Sequence, residues 1–292
     1  MPGVAVMTDS NCGFMQEDGE KYGISIIPMP IVIDGTTYYE GLDISQEQFY
    51  EKLSGGASVT SSQPSPGDVM DRWDRLLEKY DEIVYIPMSS GLSHSYECAA
   101  AFSQEYGGRV HVVDNHRISI TQAQSVLDAR ILVQQGRNGT EIKSILEREA
   151  LDASIYIAVD TLEYLQKGGR VTPAGAAVGT VLNIKPVLTI QGDKLDAYAK
   201  ARGMKSAFKT MCRALKGELA GRFRGLQEAG CLCAGIAGTY MEPALLEGWK
   251  AEFEREFPGL DVMYMPLTLS IGCHIGPGGL GVGIYRKHCL NG

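Results

Sequence analysis

The sequence has no cluster of lysine and arginine. Its 292 residues hold 27 Lys+Arg against 35 Asp+Glu, a formal net charge of −8. Without a basic patch there is little to hold a phosphate backbone, so nucleic acid is excluded as a partner. Long apolar runs are missing as well. The longest, Ile24 to Ile33, is too short to span a bilayer and is interrupted by Pro28 and Pro30. The N-terminus shows no basic region ahead of an apolar one and reaches a carboxylate by Asp9, so no secretory signal is expected. No G-x-x-x-x-G-K-[ST] segment occurs, which argues against P-loop nucleotide binding. The seven cysteines are odd in number and scattered, and Cys231-Leu232-Cys233 has no second pair at zinc spacing. Reduced, mostly buried thiols, no metal site and a cytoplasmic protein are the expectation.

What is present is a core-forming, glycine-rich chain. Hydrophobic residues make up 44%, ample for packing, and there are 35 glycines, well above the usual share of about 7%. So many glycines imply tight turns or a close approach of backbone to a ligand.

The first half alternates short β-branched runs with helical stretches. Val4–Met7, Ile83–Pro87, Arg109–Val113 and Ile155–Val159 read as strands; Phe14–Tyr22, Ser95–Tyr106 and Ile118–Gln135 read as helices. This spacing predicts a parallel, helix-flanked sheet. The segment 26–39 interrupts it with an Asp34-Gly35 hairpin signal. Ser45-Gln46-Glu47-Gln48 has the form of a capping box, and Ser65-Pro66-Gly67-Asp68 that of a capped helix start. From Thr161 the character changes. A helix at Leu162–Gln166, a small-residue helix over 174–182 and a strand pair around Gly192-Asp193 come first. Helices Lys205–Gly217 and Glu242–Phe257 then alternate with strands Cys231–Ala237 and Val262–Pro266. The fold class expected is α/β in two domains. Residues 1–160 form an N-terminal parallel sheet flanked by helices. Residues 161–292 form a smaller α/β domain with a mixed or antiparallel sheet, closely packed on the first with a cleft between the two.

Four segments concentrate hydroxyls or glycine where a parallel sheet presents its ligand edge: Thr8-Asp9-Ser10, Ser61-Ser62-Gln63-Pro64-Ser65, Ser89–Ser95 and His274–Gly279. Serine-rich turns feeding helices suit an anion or carboxylate. Gly276–Gly281 matches G-x-G-x-x-G literally but precedes a strand, Val282–Tyr285, and not a helix, so it is not a dinucleotide fingerprint. Gly91-Leu92-Ser93-His94-Ser95 approximates a nucleophile elbow. A serine hydrolase using Ser93 would need His274, His116 or His94 as base and Asp114 or Asp9 as acid. Ser95 stands where the elbow needs glycine. Arg170 and Arg202 are loop arginines that could dock an anionic partner.

In order along the chain, Thr8-Asp9-Ser10, Ser62-Gln63-Pro64-Ser65-Pro66, Ser89-Ser90-Gly91-Leu92-Ser93, Leu162–Arg170, Ile184-Lys185-Pro186-Val187-Leu188, Arg202 and His274-x-Gly276-Pro277-Gly278 resemble the DegV family. These are bacterial fatty-acid-binding proteins that include the B-type subunits of fatty acid kinase. The resemblance implies a non-catalytic carrier with no cofactor of its own, holding a fatty acid such as palmitate or oleate in a ligand tunnel between the two domains. By family pattern the carboxylate is held by Ser93, Ser61 and His274, with Thr60 as the alternative hydroxyl if the loop shifts. Thr8, Asp9, Ser10, Ser62, Gly91, Gly276 and Gly278 support the site. No arginine is required at the head group. The resemblance further implies a separate kinase subunit that makes an acyl-phosphate, met through Arg170 and Arg202, and transient contact with a membrane surface. A carrier of another small carboxylate or lipid is the remaining alternative.

Overall fold

The computed structural model describes residues 3–177 and 183–289. In the first half the strands are β1 (Val4–Asp9), β2 (Ser25–Ile27), β3 (Pro30–Ile33), β4 (Thr36–Tyr39), β5 (Val59–Ser61), β6 (Glu82–Ile86) and β7 (Val110–Val112). β2-β1-β6-β7 form the expected parallel sheet. Every residue of β1 is buried, as a sheet covered on both faces requires. On one face Ala5, Met7, Ile83 and Tyr85 pack under helices Pro66–Leu77 and Ser95–Ser103, with Trp73 and Ala99 as contacts. On the other, Val4, Val6, Val84 and Ile86 meet helix Ile120–Gln134 through Ala123, Val126 and Ala129. The Ser45 and Ser65 caps form as the sequence indicates: Ser45 accepts from the Gln48 N–H and Ser65 from the Asp68 N–H.

The 26–39 segment divides in two. Ser25–Ile27 is a parallel edge strand beside β1, whereas β3 and β4 make the Asp34-Gly35 hairpin, which β5 extends to three antiparallel strands. Pro28 lacks an N–H for a ladder, so one strand ends there and another begins.

The second half contributes β8 (Ala153–Ala158), β9 (Ile184–Ile190), β10 (Asp196–Arg202), β11 (Leu232–Gly238), β12 (Asp261–Pro266) and β13 (Leu280–Arg286). They form a six-stranded mixed sheet in the order β10-β9-β8-β13-β11-β12, with only β11 and β12 parallel. β8 corrects the sequence reading. It was expected in the parallel sheet and instead pairs antiparallel with β13 and β9. The change of sheet therefore falls between helix Gly139–Arg148, which the sequence reading did not anticipate, and Ala153, ahead of residue 160. Strand–helix alternation fixes a parallel partner only if the helix returns the chain to the same sheet, and here it does not. Of the helix expected over 174–182, Pro173–Ala176 is helical and residues 178–182 lie outside the described residues.

The mixed sheet has two apolar faces. Tyr156, Ala158, Val187, Ile236 and Val282 pack under helices Met204–Ala220 and Pro243–Glu256, against Phe208, Trp249 and Phe253. Ile157, Leu188, Ala237 and Tyr285 turn toward the parallel sheet. Helix Ile120–Gln134 is wedged between the two sheets and touches strands of both, so even its polar residues Thr121, Gln122, Gln124 and Asp128 are buried. Most of their polar atoms are paired internally, Gln122 Nε2 donating to Asp9 Oδ1 at 3.2 Å and Gln124 Nε2 to Asp128 Oδ1 at 2.8 Å, although Gln122 Oε1 has no partner among the described residues.

The cysteine expectation is also corrected. Cys231 and Cys289 form a disulfide with Cα atoms 5.6 Å apart, tying the end of the chain to the start of β11. Folding brings together two cysteines 58 residues apart, a proximity that spacing does not reveal. Among the described residues no helix is long and apolar enough to cross a membrane, and no group of three or more His, Cys, Asp or Glu could hold a metal.

Candidate functional site

The carboxyl ends of β1, β6 and β7 point at the apolar face of the mixed sheet, and a cavity lies between them. Asn11, Met88, Leu92, Ser93 and Ile118 line it from the loops after those strands; Ile155, Ile157, Ile190, Ala237 and Gly281 line it from the mixed sheet. Its volume is about 100 Å³ measured to water centres. One water needs about 10–15 Å³ on that measure, so the space exceeds a single solvent molecule several-fold. The walls are mostly aliphatic because each strand of the mixed sheet turns alternate residues to this side.

Ser61, Ser93, Arg170 and His274 form a polar cluster on the cavity wall. Ser61 ends β5, opposite Ile31, and its Oγ lies 2.9 Å from His274 Nε2. Its neighbour Thr60 is exposed, since successive residues of a strand point to opposite faces. His274 sits in the last turn of helix Leu269–Ile275, where the sequence reading had only a glycine-rich turn. That helix escapes sequence analysis because Leu269-Ser270-Ile271-Gly272-Cys273 is short and contains a glycine. Burial, and secondarily the charge of Arg170, push the His274 pKa down to about 4. The ring is therefore neutral at neutral pH, one nitrogen donating and the other accepting.

Arg170, expected on motif grounds only as a partner-facing residue, also lines the cavity, donating from Nε to the Leu92 carbonyl at 3.3 Å and from Nη1 to the Gly168 carbonyl. Arg202, by contrast, is exposed at the end of edge strand β10. A half-buried guanidinium beside a neutral imidazole and two hydroxyls provides donors and positive potential for a carboxylate.

The Ser93 hydroxyl is 2.8 Å from Ser95 Oγ and accepts from the Ser95 N–H at 3.2 Å. None of the hydrolase bases reaches it in the described hydrogen bonds. His274 faces Ser61, His116 Nδ1 faces the Gly192 carbonyl, and His94 is exposed near Glu97. Asp114 accepts from Ser90 Oγ at 2.7 Å and lies 3.5 Å from His116 Nε2, but no described hydrogen bond joins either to Ser93.

The remaining candidate residues hold the walls in place. Thr8 Oγ1 donates to the Ile86 carbonyl at 2.8 Å. Asp9 is fully buried and accepts from the N–H groups of Met88 at 2.7 Å and Asn11 at 2.9 Å; desolvation raises its pKa. Ser10 Oγ accepts from the Met29 N–H at 3.0 Å. These bonds tie β1 and the loop after it to β6, to the loop after β6 and to Met29 beyond β2, and Thr8, Asp9 and Ser10 do not themselves line the cavity, while Ser62 lines it and donates to the Gln63 carbonyl. Gly276 ends the His274 helix and Gly278 lies beside Asp160. Gly91 and Gly168 are among the glycines required by close approach. A Cβ on Gly91 would stand 2.5 Å from Asp193 Cα, in the β9–β10 turn that docks on this loop, and a Cβ on Gly168 would stand 2.2 Å from His274 Nδ1. Asn11, Ser119 and Ser270 also line the cavity. No motif pointed to them, since each is a single polar residue brought there by packing.

A family model described as "Uncharacterised protein, DegV family" matches residues 3–287. The chain belongs to the DegV family. A DegV domain-containing protein of Listeria innocua is 30% identical over 282 residues, covering 96% of this chain and 97% of the relative. A solved structure of a DegV-family protein from Thermus thermophilus, described for its fatty acid binding, superposes with a TM-score of 0.87 at 29% identity, covering 97% of this chain and 99% of that one. DegV of Bacillus subtilis, described as a fatty acid binding protein, gives a TM-score of 0.83 at 26% identity, covering 98% and 100%. The DegV architecture of a helix-flanked parallel sheet joined to a mixed sheet is thus shared along almost the whole chain.

Proposed function

We propose that this DegV protein binds a long-chain fatty acid, with the carboxylate at Ser61, Ser93 and His274 and the acyl chain among Ile155, Ile157, Ile190 and Ala237. The observation that carries this reading is an aliphatic cavity between the two sheets with one cluster of hydroxyl, imidazole and guanidinium donors on its wall. The fatty acid binding of the Thermus and Bacillus relatives supports it. Burial of each methylene contributes about 0.8 kcal/mol, so affinity comes from the chain and orientation from the polar end. Arg170 adds a positive charge there, and a neutral His274 can donate to the carboxylate without a fixed ion pair.

In this reading the ligand lies between two domains, with β8 assigned to the second. The protein is a carrier with no catalytic residue and no cofactor. It presents the carboxylate to a separate kinase subunit that uses ATP to form an acyl-phosphate. Arg170 and Arg202 face that partner, and the ligand is exchanged at a membrane surface by transient contact. The −8 net charge argues against lasting adsorption to anionic lipid.

Mass spectrometry of gently purified protein should find a bound acyl chain, and added palmitate or oleate should raise Tm. The absence of both effects would refute the binding reading. Loaded protein with ATP and hydroxylamine should yield acyl hydroxamate only when a kinase subunit is supplied; turnover by this chain alone would overturn the carrier role.

A further inference from the structure

Ser270 lies one helical turn before His274 on the same face of helix Leu269–Ile275, and it too lines the cavity. Its Oγ donates to Asn11 Oδ1, and the Asn11 carbonyl accepts from the Ser119 N–H at 3.0 Å. Asn11, Ser119 and Ser270 are only 1%, 6% and 5% exposed. Asn11 is fully engaged, since its Nδ2 also meets Met88 Sδ at 2.9 Å. Ser119 is not. Its Oγ is buried and has no hydrogen-bond partner among the described residues.

Ser119 immediately precedes the 15-residue helix Ile120–Gln134 without capping it. The N–H groups of Ile120, Thr121 and Gln122 find no acceptor among the described residues, and all three residues are buried. The positive end of a long helix and an unpaired hydroxyl thus meet at the cavity wall. Native proteins rarely leave such groups unpaired, and here the backbone is held at a φ of +55° for Ser119, which favours glycine.

We propose that Ser119, with the N-terminus of helix Ile120–Gln134 and the Asn11–Ser270 pair, forms a second polar subsite that accepts an oxygen atom carried on the acyl chain. The ligand class then includes hydroxy or oxo fatty acids. One helical turn, about 5.4 Å, separates Ser270 from His274, so the oxygen belongs in the carboxyl-proximal half of the chain. This inference rests on the fatty-acid reading and deepens it. A plain methylene chain leaves the donors unpaired or bridged by a water, whereas an oxygen at the right carbon pairs them directly.

Octadecanoic acid and octadecanoic acids hydroxylated at successive carbons test it by competition for the wild-type protein. One carboxyl-proximal isomer should bind at least as tightly as the parent acid. Ser119→Ala should weaken that isomer relative to the parent by about three- to tenfold, the worth of one buried hydrogen bond. Ser119→Gly suits the backbone while removing the hydroxyl, and should do the same. Equal weakening of every isomer in wild type and variants would overturn the subsite and leave a bound water as the occupant. Failure of octadecanoic acid itself to bind would instead refute the fatty-acid reading.

Discussion

Ser61 Oγ and His274 Nε2 lie 2.9 Å apart although 213 residues separate them in the chain. One side chain ends a strand of the small antiparallel sheet and the other ends a helix just before β13, so their contact reports that the two halves of the molecule are correctly closed. It also couples the site to pH. The pKa of His274 is lowered to about 4 by burial and then by Arg170. A histidine whose folded pKa is depressed leaves stability intact above its unfolded value, near 6.5, and costs stability as pH falls toward the folded value. Wild-type protein should therefore lose roughly 3 kcal/mol relative to His274→Gln between about pH 6.5 and 4. Parallel urea titrations of the two proteins check this. Comparison with the variant is needed because desolvation raises the pKa of Asp9, Glu40 and Asp128, which acts in the opposite sense.

Truncating the head-group hydroxyls should weaken palmitate binding while leaving the fold unchanged. Ser61→Ala and Ser93→Ala are each expected to cost about 1.5–3 kcal/mol, the range for a hydrogen bond to a charged group. Calorimetric titration gives the loss, and unchanged Tm of the unliganded protein separates it from misfolding.

Gly168→Ala should displace His274 while leaving every proposed ligand-contacting side chain chemically unchanged. Its Cβ would lie 2.2 Å from Nδ1, so the ring must move and the Ser61 contact must break. Binding should fall about as far as in Ser61→Ala. Gly91→Ala meets backbone instead, 2.5 Å from Asp193 Cα. Backbone yields less readily than a side chain, so about 1–3 kcal/mol of stability should go as well. Denaturation midpoints and binding isotherms distinguish the two variants.

The floor of the cavity is a cross-strand row of Ala237, Gly281 and Ile157 on β11, β13 and β8. Ala237→Leu fills space that the acyl chain would occupy. The variant should retain short acids and lose long ones, read from the chain-length distribution of co-purified lipid.

Under oxidising conditions the Cys231–Cys289 disulfide closes a span of 58 residues. Chain-entropy arguments assign such a loop about 4 kcal/mol. Cys289→Ser should be less stable than wild type without reductant and equal to it in dithiothreitol, by chemical denaturation.

Much of this molecule is legible in the chain itself. β-branched runs spaced by capped helices specified the parallel sheet, and the Asp34-Gly35 and Gly192-Asp193 turns specified two hairpins, because these signals are local and each residue's own stereochemistry carries them. The ordered serine, glycine and histidine segments marked the family and with it Ser61, Ser93 and His274 as candidates. Tertiary structure alone decided which sheet β8 joins, because both of its faces are apolar and alternation does not say which partner they meet. It alone placed Arg170 on the cavity wall, paired Cys231 with Cys289, and set the unpaired Ser119 beside Asn11 and Ser270. Those relationships depend on residues tens to hundreds of positions apart coming together, and no local pattern in the chain encodes that distance.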